Sequence, residues 1–287
     1  MRTYLLLISL VISSLCNAQS LPQIEAQIAL LHNKLAASRF DIEKDSICNS
    51  IREELIKSFS FDETFDYPFV KLNFCKIKSA NNHIRLFNWN LPYADGTHKY
   101  FCFVLVRETK SGVLRWKELK DNLNEIDKIE NKILTEDKWF GMLYYEIISM
   151  GKKNSNQYTL LGWDGKDNLT NRKVVDVMDV GGNKIKFGAN IFNTESNVAK
   201  RIILEYSDEV SASLKYYAEK NSVVMDHLSP KNPMMLGIYA DYGPDGSYDM
   251  LVLNKNKWDF LDNVDISKFT AKDGKPFYDP RQRRKRK

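Results

Sequence analysis

The sequence predicts a mainly β fold, an antiparallel meander stacked as a sandwich or closed like a barrel, preceded by an α-helical hairpin. Three observations carry that expectation. Apolar residues recur at steps of three and four between Leu21 and Phe59, the period of one helix face. From about residue 65 the chain breaks into short runs rich in Tyr, Val, Ile and Phe, punctuated by Gly, Asn and Asp. No internal repeat of constant period interrupts this texture, which argues against a propeller. The alternative is an α+β arrangement.

The first eighteen residues precede that fold. Arg2 supplies a positive start, Leu5 to Leu15 an uncharged apolar run, and Cys16-Asn17-Ala18 a small-residue ending. That is the layout of a cleavable secretory signal over residues 1–18. The run is about 11 residues, against the roughly 20 a spanning helix needs. Leu15 directly before Cys16 argues against lipidation of that cysteine. No later segment approaches 18 consecutive apolar residues. No transmembrane segment is therefore expected after cleavage, and the expected location is the periplasm or the outside of the cell.

The helical hairpin covers residues 19–60. Ile24, Ile28, Leu31 and Leu35 build one apolar stripe, and Ile47, Ile51, Leu55 and Phe59 a second, with Asp41 or Asp45 as cap. Such a pair must bury its stripes against the domain that follows. In residues 83–90, Ile84, Leu86 and Asn88 share one face of a strand and Arg85, Phe87 and Trp89 the other. A turn at Tyr93-Ala94-Asp95-Gly96 leads into a strand over residues 99–108 that is apolar on both faces. Ser111-Gly112 turns again into Val113 to Leu119. Residues 119–138 are polar, with a weak helical period, and read as a surface connection or short helix. Strand texture resumes at residues 141–150, 158–163, 172–178, 200–206, 211–217, 222–227 and 248–253, so the β domain runs over residues 61–269. Residues 270–287 read as a basic, disordered tail.

Composition limits the partners. The chain has 42 basic and 37 acidic residues, but residues 281–287 alone carry six of the basic ones. With these and Arg2 set aside, 35 basic residues face 37 acidic ones, so the basic character belongs to the tail. A nucleic-acid-binding body would carry its own basic clusters, so nucleic acid is not an expected partner. The tail 281–287 is suited to contact with an anionic surface. After signal cleavage Cys48, Cys75 and Cys102 remain. An oxidising compartment allows one disulfide among them at most. Cys75 and Cys102 lie in strand-like apolar contexts and read as small buried hydrophobes.

Two loops carry the candidate chemistry. In Tyr239 to Asp249, Asp241, Asp245 and Asp249 fall at steps of four. Hard cations such as calcium take oxygen ligands from acidic loops. The spacing is not that of an EF-hand, and Pro244-Asp245-Gly246 is also turn chemistry. In Gly162 to Asn168, Trp163 offers a stacking face or a core residue, and Asp164 and Asp167 offer carboxylates. Asp226-His227 is the one adjacent acid–histidine pair. As neighbours on a strand they face opposite ways, and no nucleophile elbow surrounds a serine. No cofactor is expected, calcium apart.

The stretches 87–101, 139–148, 158–177, 186–192, 200–207, 225–230 and 243–249 together resemble a family of uncharacterised signal-peptide-bearing exported proteins of Bacteroidetes. Among them are FNWNLPYADGTHKYF, YTLLGWDGKDNLTNRKVVDV and GPDGSYD. The resemblance implies export; it brings no activity, cofactor or catalytic residue. Two functions stay open. One is a non-catalytic binding or structural protein of the periplasm or cell envelope, recognising an envelope or extracellular ligand through Trp163 and the loops 162–168 and 241–249. The other is a hydrolase of an envelope or extracellular polymer using loop carboxylates, with His227 as acid or base.

Overall fold

The computed structural model describes residues 19–108, 111–122, 128–151, 156–194 and 199–266. The expected signal (1–18) and basic tail (270–287) lie outside the described residues. Helices α1 (Leu21–Ala37) and α2 (Asp41–Ser58) form the hairpin. Its two stripes, Ile24, Ile28 and Leu31 with Cys48, Ile51 and Leu55, are buried. The cap differs from expectation. Phe40 holds the N-cap position of α2 and Asp41 is its first helical residue. The Asp41 carboxylate accepts from the Ala94 amide at 3.1 Å, while Asp45 accepts from the Tyr93 hydroxyl and Lys99 Nζ, each at 2.9 Å. Both aspartates are therefore spent tying the hairpin to the Tyr93–Gly96 turn.

Among the described residues the β domain comprises fifteen strands in three sheets. Sheet 1 runs β1 (Cys75–Lys78), β2 (Ile84–Pro92), β3 (His98–Arg107) and β4 (Leu114–Leu119), antiparallel in chain order. Sheet 2 has the order β5 (Leu134–Thr135), β9 (Lys186–Phe187), β8 (Thr170–Asp179), β7 (Gln157–Asp164) and β6 (Leu143–Ser149); β11 (Ile202–Ser207) also pairs with β8. Sheet 3 has the order β10 (Phe192–Asn193), β15 (Lys257–Leu261), β14 (Tyr242–Asn254), β13 (Ser222–Pro230) and β12 (Leu214–Tyr217). Among these strand pairs only β10–β15 is parallel.

Alternation within each strand stacks these sheets. On sheet 1, Phe87, Trp89, Phe101, Phe103 and Leu105 pack against α1 and α2, while Ile84, Leu86, Cys102, Val104 and Val106 face the opposite way onto Tyr144, Tyr158, Leu160 and Val174 of sheet 2. The other face of sheet 2, with Leu161, Val175 and Val177, meets Val223, Met225, Leu251 and Trp258 of sheet 3. The molecule is thus four layers deep, helices and three sheets, with no closed barrel among the described residues. Burying each large apolar side chain stabilises by about 1.5–3 kcal/mol. Two polar bolts fix the layers. The buried Asn88 amide pairs with both the Tyr144 amide (2.8 Å) and carbonyl (3.2 Å), joining sheets 1 and 2. Trp258 Nε1 donates to Thr159 Oγ1 at 2.9 Å, joining sheets 3 and 2.

Strand register also settles the thiols. Cys75 and Cys102 both lie opposite Asn88, on either side of β2, so their Cα atoms are about two strand spacings, or ~10 Å, apart. Disulfides need less than about 7 Å. Cys48 sits in the core on the other side of sheet 1. All three cysteines are free. Among the described residues no helix is long and apolar enough to cross a membrane.

Candidate functional site

The loop 162–168 begins at the end of β7, where Asp164 is paired with Arg172 of β8, and Arg172 with Glu205 of β11. Three adjacent strands so produce a row of negative, positive and negative charge. Arg172 Nε donates to Glu205 Oε2 at 2.7 Å, and its Nη1 lies 3.5 Å from Asp164 Oδ2. Lys166 Nζ completes the neutralisation at 2.6 Å from Glu205 Oε1, which also accepts from the Thr170 hydroxyl at 3.0 Å. From sheet 1, the Tyr100 hydroxyl donates to Asp164 Oδ1 at 3.0 Å and accepts from the Gly165 amide at 2.8 Å.

Burial separates the two acids. Asp164 is 1% exposed, and burial pushes its carboxyl up to about 6 against the opposing pull of Arg172 and the Tyr100 hydroxyl. Burial acts on Glu205 in the same sense, but Lys166 and Arg172 outweigh it and hold that carboxyl below its ordinary value. Asp167 serves the turn itself, its Oδ1 accepting from the Leu169 and Thr170 amides at 2.9 and 2.8 Å. Those amides lower its pKa despite partial burial. Trp163 is half-buried, its ring edge-on to His98 at 5.5 Å.

The second loop is not a loop. Residues 242–254 form one strand, β14, and the Pro244-Asp245-Gly246 turn chemistry is used inside it. Residues 245–247 bulge opposite His227, the register passing from Asp226↔Tyr248 to Leu228↔Pro244. Gly246 adopts φ +95° there, and Asp245 Oδ1 accepts from the Ser247 amide (2.9 Å) and hydroxyl (2.7 Å). Asp241 faces elsewhere, accepting from the Asn232 amide at 2.8 Å. The three carboxylates proposed for calcium thus have separate partners: Asp241 the Asn232 amide, Asp245 the Ser247 amide and hydroxyl, and Asp249 the His227 ring and the Asn263 amide. Among the described residues no group of three or more His, Cys, Asp or Glu is placed to hold a metal ion.

His227 does gain an acid partner, though not its neighbour in sequence. Its Nδ1 lies 2.9 Å from Asp249 Oδ2, across the sheet, with the His227 side chain 42% exposed. Asp249 Oδ1 accepts from the Asn263 amide at 3.2 Å. Asp226 accepts from the Ser213 amide at 2.8 Å. Burial raises the Asp226 pKa, with nearby Asp245 adding to the rise and the Ser213 amide opposing it.

The two loops lie at the same end of the molecule, bridged by residues 207–210. The Asp208 amide donates to the Leu169 carbonyl at 2.9 Å, and Asn171 Nδ2 to Asp208 Oδ1 at 2.6 Å. On the far side Lys231 lies 3.6 Å from Glu209, and Val210 packs toward Gly243. Asn168 Nδ2 donates to the Asp95 carbonyl at 2.7 Å, drawing in the turn of sheet 1. Loops from all three sheets thus interlock into one rim.

No family model, curated protein or solved structure matches the chain. The rim must be read from its own chemistry. Sequence reasoning found Trp163, Asp164, Asp167 and the His227 region; it missed Tyr100, Arg172 and Glu205, which make Asp164 what it is.

Proposed function

We propose that this chain is a non-catalytic binding protein of the periplasm or cell envelope, recognising an envelope or extracellular ligand through its rim. The location is taken from the signal-like residues 1–18 and from the resemblance to exported proteins. One observation carries the binding reading. Asp164 of the 162–168 loop and the neighbouring Glu205 are consumed by an internal ion-pair row, with Asp164 1% exposed and the Glu205 side chain 11% exposed, so neither meets a substrate, and Asp167 is engaged by the turn amides. What the rim offers outward is the half-buried Trp163, Leu169 at 67% exposure and the exposed Asn168. That is an apolar and amide surface on a rigid base, suited to recognition. Retention on insoluble peptidoglycan sacculi tests it. Protein beginning at Gln19 should sediment with sacculi, and Trp163→Ala with Leu169→Asp should weaken retention at least tenfold without lowering the melting point. Equal retention of that variant contradicts the rim assignment.

The second reading, a hydrolase of an envelope or extracellular polymer, is favoured by the His227–Asp249 pair. A carboxylate 2.9 Å from Nδ1 of a half-exposed imidazole orients the ring as a general base does. Release of soluble fragments, lost in His227→Ala, is its signature.

A further inference from the structure

Between β13 and β14 the chain makes an excursion over residues 231–241, and it is the most apolar exposed segment of the described surface. Met234 is 89% exposed, Leu236 78%, Ile238 50% and Tyr239 46%. These side chains are not outward because the loop is loose. The Met234 amide donates to Asn232 Oδ1, the Met235 amide to the Asn232 carbonyl and the Ile238 amide to the Met235 carbonyl. The Gly237 amide donates to the Tyr242 hydroxyl at 3.0 Å. Asp241 closes the base, accepting the Asn232 amide on its carboxylate and the Lys231 amide on its carbonyl. These bonds hold the backbone of the excursion and leave the apolar groups outside.

The excursion is also layered by polarity. Residues 232–240 carry no charge; Tyr239 and Tyr242, in ring contact at 5.1 Å, stand behind the apolar tip, and the charged Lys231 and Asp241 lie at its base. Apolar tip, tyrosine belt and charged base is the order of a bilayer interface. Charge points the same way. Residues 267–287 carry nine Lys and Arg against two Asp. They leave the described fold at Ile266, just after the Val264 amide pairs with the Tyr248 carbonyl at 2.8 Å, along the strand that leads to the tip. Twenty-one residues reach up to about 70 Å, enough to bring that charge to any surface the tip touches. Basic segments are drawn to anionic headgroups, whereas a protein groove for the tip would leave them without a role.

We propose that the 231–241 tip inserts into an anionic lipid surface, with the basic C-terminal residues supplying electrostatic attraction. This rests on the envelope-binding reading and names one partner for it. Flotation tests it, with protein beginning at Gln19 and protein-free vesicles of phosphatidylcholine alone or mixed with phosphatidylglycerol. The wild type should float with the mixed vesicles and much less with the neutral ones. The triple variant Met234→Ser, Leu236→Ser, Ile238→Ser should lose at least tenfold in vesicle affinity at an unchanged melting point. Arg283→Glu with Arg284→Glu should lose only the preference for anionic lipid. A triple variant that floats like wild type overturns the proposal, as does a wild type that stays with neither vesicle, the result expected of a protein groove. Retention on sacculi that survives either result leaves the envelope-binding reading standing, so the two failures are told apart.

Discussion

Replacing Asp164 by Asn tests the ion-pair row from its most strained member. Asn keeps the shape and an oxygen for the Tyr100 hydroxyl, but cannot ionise. In the folded chain the Asp164 carboxyl is raised from 3.8 to about 6 by burial. Each pKa unit is worth about 1.4 kcal/mol, so ionised Asp164 costs the native state about 3 kcal/mol relative to its protonated form. A folded-state pKa above the unfolded one means the native protein holds this proton more tightly. The associated stability is fully present below about pH 4 and is lost as pH rises through 6. Between pH 4.5 and 7.5 the wild type should lose roughly 2 kcal/mol that Asp164→Asn does not. Glu205 and Asp167, with lowered pKa values, add stability of the opposite sign that fades on acidification. Asp167 acts alike in both proteins and drops out of the difference, whereas Glu205, which shares Arg172 with Asp164, adds only a smaller coupled change. Urea unfolding of both proteins at pH 4.5, 6.0 and 7.5 measures it. Stability curves that run parallel across that range would refute the assignment of Asp164 as a buried, raised carboxyl.

Other perturbations read other parts of the account. Arg172→Met should cost about 3–5 kcal/mol in urea unfolding, because it strands two partly or fully buried carboxylates without their shared cation; a loss under 1 kcal/mol would show the row to be incidental. Protein beginning at Gln19 should melt at the same temperature with and without reductant, and a thiol reagent should find three groups after unfolding but only Cys75, which is half-buried rather than buried as expected, before it. Millimolar calcium should leave the melting point unchanged, since Asp241, Asp245 and Asp249 keep separate partners; a rise would mean that a native-state site exists. Trp258→Phe removes the bond to Thr159 and part of a fully buried ring, and should cost about 1–3 kcal/mol; an unchanged denaturation midpoint contradicts its role as a bolt between sheets.

Much of the fold was legible because short-range pattern dictates it. The stripes of α1 and α2 follow from a 3.6-residue period, and the two faces of β2 from strict alternation. What was not legible depends on partners distant in sequence. The run 257–261 is short and broken by Lys257 and Asp259, too little to announce a strand, yet pairing with β14 makes β15 of it. Pro244-Asp245-Gly246 carries turn residues, and the sheet on either side turns them into a bulge. In the polar connection 119–138, residues 134–135 become the small strand β5 through β9, and residues 129–131 a single 3-10 turn. The same holds for the rim. Asp164 stood out beside Trp163, but its meaning lies in Tyr100, Arg172 and Glu205, brought beside it only by register across β3, β7, β8 and β11. A sequence signal existed. Arg172 and Glu205 share strand parity with the inward-facing Val174 and Ile203, and charge on a core-facing parity requires a partner. The partner of His227 proved equally remote, twenty-two residues away rather than one.

The central claim is that Asp164 and Glu205 of the rim are engaged within the fold and that the rim binds rather than cuts. The most direct measurement is a time course of soluble-fragment release from peptidoglycan sacculi by wild type and His227→Ala, made alongside retention of both proteins on the same polymer. The account predicts retention by both and release by neither. Fragments released by the wild type and abolished in His227→Ala would contradict it.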